Sequence, residues 1–505
     1  MLPIEFFRRA AARTPDAVAV ETAEGTVTHR ELATRVDALA AALQSLDPSP
    51  GSRVGLLAAN GEPHLTALLA ILAAGKCWVP LNPRNGEAEL RAMVDTTRPG
   101  IIIADAANRS KVAGASGIHL LLGEDDPDGG PATERLLERF RGACPQRLHP
   151  PLDATQAIKF TSGSTGKPKG VQQSHRSWNC FTANILDAFG FDADERFLVA
   201  APLTHGSSCF VLPVLARGGR LVLLDRPKPP DVLTALRERG ITATYLTPTM
   251  IYMLLAEPGV GGRAYPALRH LIYSGAPMRA AQIRAAQAVF GPCIETCYGQ
   301  AEAPQMISAM RGTEFLDESR LGSVGRPCLL TGVAILGPDG AELPAGEVGE
   351  IAVRGDLIMT GYLDNPEATA AAIQDGWLRT GDLGVLDADG YLSIKGRSRE
   401  VIITGGFNVY PADVEAVLGR HPAVHECTVF GVEDDKWGEA VHAAVELHAG
   451  TEAGEAALIA FVKERLDGVK APKRIHIVPE LPRSPVGKVL RREAKAMVTG
   501  GTDAR

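Results

Sequence analysis

Apolar residues in this chain recur at two spacings, one of three to four residues and one of two or fewer. Their alternation predicts helices and strands in turn. Thr28-His29-Arg30-Glu31 has the form of a capping box, and Leu32, Val36, Leu39, Leu43 and Leu46 follow at helical spacing. A second helix carries Leu65, Leu68, Leu69 and Leu72 and is closed by Gly75. Ile101-Ile102-Ile103-Ala104 and Ala157-Ile158-Lys159-Phe160 read as buried strands. Beyond them the pattern predicts a helix over 174–189, strands at 198–200, 221–224, 243–246 and 270–273, and a helix over 231–239. Such alternation implies an α/β fold of mostly parallel sheets covered by helices. Residues 125–151 hold several Pro and Gly and are expected to be surface connection.

The texture changes twice towards the C-terminus. Residues 332–355 read as two strands joined by Gly337-Pro338-Asp339-Gly340, which suggests a small β subdomain. After the turn 387–390 comes a helix at 411–418, strands at 424–430 and 440–447, a helix at 455–466 and a strand at 474–478. That is enough for a small α+β domain. The expected organisation is a large domain over 1–396, with the β subdomain at about 320–396, and a small domain over 397–505.

At 505 residues the chain is too long for one core. A formal net charge of −7 argues against a broad nucleic-acid footprint, while small anions need only a few local cations. Met1 to Pro15 lacks the apolar run of a secretory signal, and no stretch reaches the roughly 18 apolar residues of a membrane span. The eight cysteines form no Cys-x-x-Cys pair and read as reduced thiols of a cytoplasmic protein. Cys297 reads as a packing residue rather than a nucleophile.

The densest chemistry lies at Thr161-Ser162-Gly163-Ser164-Thr165-Gly166-Lys167-Pro168-Lys169-Gly170. Glycines let backbone N–H groups approach an anion, hydroxyls add donors and lysines add charge. A loop of this kind suits a polyphosphate. It is not a Walker A motif, because only Ser164 and Thr165 separate Gly163 from Gly166, and Pro168 follows Lys167. The segment resembles the signature of the adenylate-forming (ANL) superfamily, and further segments resemble that family's remaining motifs in order. These are Ala201-Pro202-Leu203-Thr204-His205-Gly206, Cys297-Tyr298-Gly299-Gln300-Ala301-Glu302, Trp377-Leu378-Arg379-Thr380-Gly381-Asp382, Gly396-Arg397-Ser398-Arg399-Glu400, Gly405 to Pro411, and Pro485-Val486-Gly487-Lys488.

The resemblance implies an AMP-forming acyl-CoA synthetase with ATP, CoA and Mg²⁺. By that likeness Thr161, Ser162, Gly163, Ser164, Thr165, Gly166 and Lys167 hold the phosphates, and Glu302 with Thr165 holds the metal. Ser274, Gly275 and Ala276 with Thr296, Cys297, Tyr298, Gly299, Gln300 and Ala301 surround the adenine, Tyr298 stacking on it. Asp382 accepts from the ribose hydroxyls with Arg397 assisting, Ile394 is a further ATP/AMP-binding residue, and Lys488 meets the reacting oxygens. Glu302, His205 and Lys488 are the implied catalytic residues, His205 bordering the carboxylate site without acting as a general base. Trp178, Phe181, His205, Ser207, Ser274, Gly299, Ala301 and Met306 are expected to line the acyl pocket. Arg399 stands at the hinge of a mobile C-terminal domain, and Gly405, Gly406 and Asn408 lie where CoA would pass.

One position departs from the pattern: Ala301 stands where the family has threonine, which removes a hydroxyl. Leu203 to Val214 contains no acid to hold an α-amino group, which disfavours amino acids. No cation is evident to fix a second carboxylate, so a monocarboxylic aryl or medium-chain acid is expected. The chain runs only a short way past Lys488, so no fused carrier domain is expected. A free-standing enzyme that loads a carrier protein, a luciferase-type oxidation and an inactive nucleotide-binding regulator stand as alternatives. A homodimer is the base-rate expectation.

Overall fold

The computed structural model describes residues 1–123, 131–161, 169–466, 468–483 and 489–500. Two large sheets dominate it. One is nine-stranded, built around the parallel strands Val18–Glu21, Arg220–Leu223, Arg196–Val199, Ala243–Leu246, His270–Tyr273 and Ile294–Tyr298. The other is seven-stranded, with Ile118–Leu121, Ile101–Ala104, Arg53–Leu57, Cys77–Leu81 and Thr155–Thr161 parallel and an antiparallel edge beyond Thr155–Thr161.

The main core lies between these sheets, on the helices Ile4–Arg13, His29–Leu46, Glu62–Ala73, His175–Phe189 and Ser208–Arg217. A second core covers the outer face of the nine-stranded sheet, and a third the outer face of the other. This explains the unbroken Ile101-Ile102-Ile103 run. Ile101 and Ile103 face the main core while Ile102 faces the outer one, so neither side of the strand meets water.

The capping box at Thr28 forms as expected: Thr28 Oγ1 accepts from Glu31 N–H, and the Glu31 carboxylate accepts from Thr28 N–H at 2.8 Å. The stretch 125–151 is not connection throughout. It contains the helix Thr133–Arg139, whose Leu136 is buried against the main core. The Pro and Gly residues flank that helix and concealed its short apolar face.

A five-stranded sheet holds Gly332–Leu336, Gly349–Arg354, Trp377–Leu386 and Leu392–Arg397 in antiparallel pairing. From Ile402 onward a separate five-stranded sheet and the helices Pro411–Leu418 and Glu455–Lys463 enclose their own core. The architecture is thus a large unit of mostly parallel sheets and a smaller α+β C-terminal unit. No helix among the described residues is long and apolar enough to cross a membrane.

Candidate active site

Asp382 is where four segments of chain meet. It sits on Trp377–Leu386, directly across from Arg397 on Leu392–Arg397. Arg397 Nε lies 2.7 Å from its Oδ1, while Tyr298 hydroxyl and Gln300 Nε2 each donate to its Oδ2 at 2.6 Å. Tyr298 ends the strand Ile294–Tyr298, and Gln300 follows in the turn after it. Thr380 fixes the Asp382 backbone: its hydroxyl donates to Ile351 carbonyl at 2.7 Å and accepts from Asp382 N–H. Burial, then the neighbouring Asp382, pushes the Tyr298 phenol well above its ordinary pKa, so it remains a donor.

The turn after Tyr298 requires glycine for steric reasons. A Cβ on Gly299 would lie 2.4 Å from the backbone nitrogen of Gln305. The tight turn brings Glu302 round to a second site. Tyr362 hydroxyl donates to Glu302 Oε1 at 2.9 Å, and Lys169 Nζ lies 5.0 Å from the Tyr362 ring centroid. Lys169 pairs with Thr161 at the loop end of the antiparallel hairpin formed by Thr155–Thr161 and Lys169–Ser174. Residues 162–168 join those two ends, so Glu302 stands beside the mouth of the glycine-rich segment. Ser162, Gly163, Ser164, Thr165, Gly166, Lys167 and Lys488 lie outside the described residues.

Glu302 Oε2 has no protein partner among the described residues, which leaves lone pairs for a cation. No three His, Cys, Asp or Glu side chains gather into a metal cage among the described residues. One carboxylate beside phosphates is the donor set that suits Mg²⁺, which keeps waters and shares phosphate oxygens.

Trp178, expected from the sequence to line an acyl pocket, is buried. Its indole N–H donates to Gln173 Oε1 at 3.2 Å, and Gln173 Nε2 donates to Ala301 carbonyl at 2.8 Å. The segment around Ala301 is therefore held through its backbone. Phe181 packs on Trp178 at 5.2 Å between ring centroids, and both are buried, as is Met306. His205 is exposed, with Nδ1 3.0 Å from Thr204 Oγ1. The protein crowded around it, then the charges of Lys159 and Arg84, push its pKa down, so it is neutral at pH 7.

Thr296 hydroxyl donates to Tyr273 carbonyl inside the sheet, and Cys297 is buried with its thiol pushed up to about 12 by burial. Ser274 is buried at the end of His270–Tyr273, with Gly275 at φ 87° and Ala276 after it. Ile394 lies opposite Gly384, Arg399 is exposed, and Gly405 (φ 57°) and Gly406 (φ 83°) form the turn before Asn408.

The reading of the sequence missed Gln173, Tyr362 and Lys159. Each lies on a strand where nothing but its neighbours in space marks it. Arg279 was also missed; it donates to His425 carbonyl at 2.9 Å and pairs with Glu426, which ties the large unit to the C-terminal one.

Residues 7–363 match the family model described as "AMP-binding enzyme", and residues 413–488 match "AMP-binding enzyme C-terminal domain". The chain belongs to the AMP-binding enzymes. Its branch of the adenylate-forming superfamily is that of the acyl-CoA synthetases, which are AMP-forming acid–thiol ligases. It is 35% identical to a feruloyl-CoA synthase of Amycolatopsis sp over 96% of this chain and 97% of the relative. It is also 35% identical to a medium/long-chain-fatty-acid–CoA ligase of Mycobacterium tuberculosis, over 93% of this chain and 85% of that one. An amide bond synthetase of Marinactinospora thermotolerans superposes with a TM-score of 0.90 at 30% identity, covering 98% of this chain and 100% of that one.

Proposed function

We propose that this protein converts a carboxylic acid, ATP and CoA to an acyl-CoA, AMP and pyrophosphate, with an aryl or medium-chain acyl acid as substrate. The observation that carries this reading is the carboxylate of Asp382, buried yet ringed by Tyr298, Gln300 and Arg397. A carboxylate supplies acceptor oxygens for a ribose diol, and these neighbours are placed to exchange partners with it.

In the first half-reaction an oxygen of the acid attacks the α-phosphorus and pyrophosphate leaves, which forms a mixed anhydride, the acyl-adenylate. Negative charge spreads over the phosphates, so fixed donors and cations supply most of the catalysis. Thr161 to Lys167 would hold the β- and γ-phosphates and Lys488 the reacting oxygens. Mg²⁺, when bound with the nucleotide, would neutralise phosphate charge; Glu302 would hold it, with Thr165 adding a hydroxyl. Tyr298 would border the adenine with Ser274 to Ala276. A neutral His205 suits a site that receives an already ionised acid, since it takes no proton from it.

In the second half-reaction the CoA thiolate attacks the acyl carbonyl and AMP leaves. The C-terminal unit, bounded near Arg399, would turn about that hinge and present the Gly405–Gly406 turn to the thiol. A groove of about 500 Å³ lined by Arg84, Lys111 and Arg226 offers cations for the phosphates of CoA. The enzyme is proposed to be cytoplasmic, with a homodimer as the expected assembly.

Pyrophosphate release across aryl, aliphatic and amino acids, with and without CoA, tests the reading. CoA-dependent turnover of a non-amino acid is the expected result. Adenylate without turnover of CoA would point to a carrier protein or an amine as acceptor. A Lys488→Ala variant with undiminished adenylate formation would remove Lys488 from the first half-reaction.

A further inference from the structure

Lys159 brings a cation to the acyl side of the site. It lies two residues before Thr161 on the same strand, so the two share a face and their α-carbons are about 7 Å apart. Its ammonium packs on aromatic rings: Nζ is 5.4 Å from the ring centroid of Trp78, whose backbone pairs with Ala157 on the same strand as Lys159. Nζ is also 6.0 Å from the ring of Trp178, and the two indoles meet edge to face. Its hydrogen-bond acceptor is Ser208 Oγ at 2.9 Å, a neutral hydroxyl that itself donates to His205 carbonyl.

No acidic side chain among the described residues pairs with this half-buried ammonium. Among the described residues this cation, half withdrawn from water, has a hydroxyl and two π faces for company, which compensate it incompletely. Two further donors around it are unused. Trp78 Nε1 and Ser207 Oγ, the latter beside Ser208 in the chain, are buried without a hydrogen-bond partner among the described residues. A buried donor left unpaired is costly, so a ligand that supplies acceptors there offsets a standing penalty.

We propose that Lys159 is a specificity-determining residue that receives a second carboxylate, distal to the reacting one, on the acid being activated. This rests on the ligase reading above and replaces the monocarboxylic expectation with a dicarboxylic one. The reacting carboxylate remains at His205, and the distal one reaches the ammonium between the tryptophans.

The experiment compares kcat/KM for pyrophosphate release with matched pairs: hexanoic against hexanedioic acid, and benzoic acid against the benzenedicarboxylic acids. The wild-type enzyme should favour at least one dicarboxylic member tenfold or more. K159M should lower that ratio at least tenfold, and K159R should preserve most of it. Thermal melts report whether each variant is folded. A wild-type ratio at or below one in every pair overturns the proposal, whatever the variants do. So does an equal loss for both members of a pair in a folded K159M, because that would place Lys159 at the reacting carboxylate or the phosphates. A wild-type enzyme that releases pyrophosphate with no acid at all would instead sink the ligase reading itself.

Discussion

The hydroxyl of Tyr298 donates to Oδ2 of Asp382 at 2.6 Å, joining the end of a parallel strand in the large sheet to the middle of an antiparallel strand in the small one. On the proposed reading a ribose that takes over Asp382 would displace or share this bond, so the two residues would set nucleotide affinity together. Asp382→Asn should lower kcat/KM for ATP by about ten- to a hundredfold, the worth of one or two hydrogen bonds to a charge. Tyr298→Phe should cost less, about tenfold. Steady-state kinetics in ATP check both, and an Asp382→Asn variant with wild-type ATP dependence would contradict the ribose role.

Gly299→Ala tests the turn that carries Glu302. The added methyl would press on the Gln305 backbone, which cannot give way as a flexible side chain would. Overpacking of this kind costs about 1–3 kcal/mol, and here it displaces Glu302 as well. Loss of adenylation should therefore exceed the loss of stability. Circular dichroism melts read alongside pyrophosphate release would show the difference, and an active, stable variant would refute the constraint.

Acid lability should come partly from His64. It is fully buried, its Nδ1–H donates to the Ala58 and Ala59 carbonyls, and burial pushes its pKa down to about 4. The unfolded chain binds its proton near pH 6.5 while the folded one does not, so stability rises with pH between about 4 and 6.5 and falls as pH drops through that window. The slope from this one group is about 1.4 kcal/mol per pH unit. His64→Asn should lower stability at pH 7 but flatten the slope between pH 6.5 and 4.5, as read by denaturant unfolding. An unchanged slope would assign the acid sensitivity to other groups.

Arg279 and Glu426 should set how firmly the C-terminal unit docks in this arrangement. Arg279→Ala removes both the ion pair and the bond to His425 carbonyl. Limited proteolysis within 397–401 should then run several-fold faster, with a larger radius of gyration in solution scattering. Equal cleavage rates would show that the contact does not restrain the unit.

Local patterning was enough to predict the helix His29–Leu46, the strand Ile101–Ala104 and the order of the functional motifs. Capping chemistry and unbroken apolar runs are properties of adjacent residues, and they do not depend on what packs against them. Asp382 and Glu302 were marked in the same way, by short motifs around them. Their partners were decided only by the tertiary structure. Tyr362, Gln173 and Lys159 stand 60, 128 and 49 residues from the Glu302, Ala301 and Ser208 groups they bond. A strand's alternation tells which side chains share a face, but which face meets the ligand depends on how the sheets stack. That stacking turned an unremarked lysine in an apolar strand into a cation between two tryptophans.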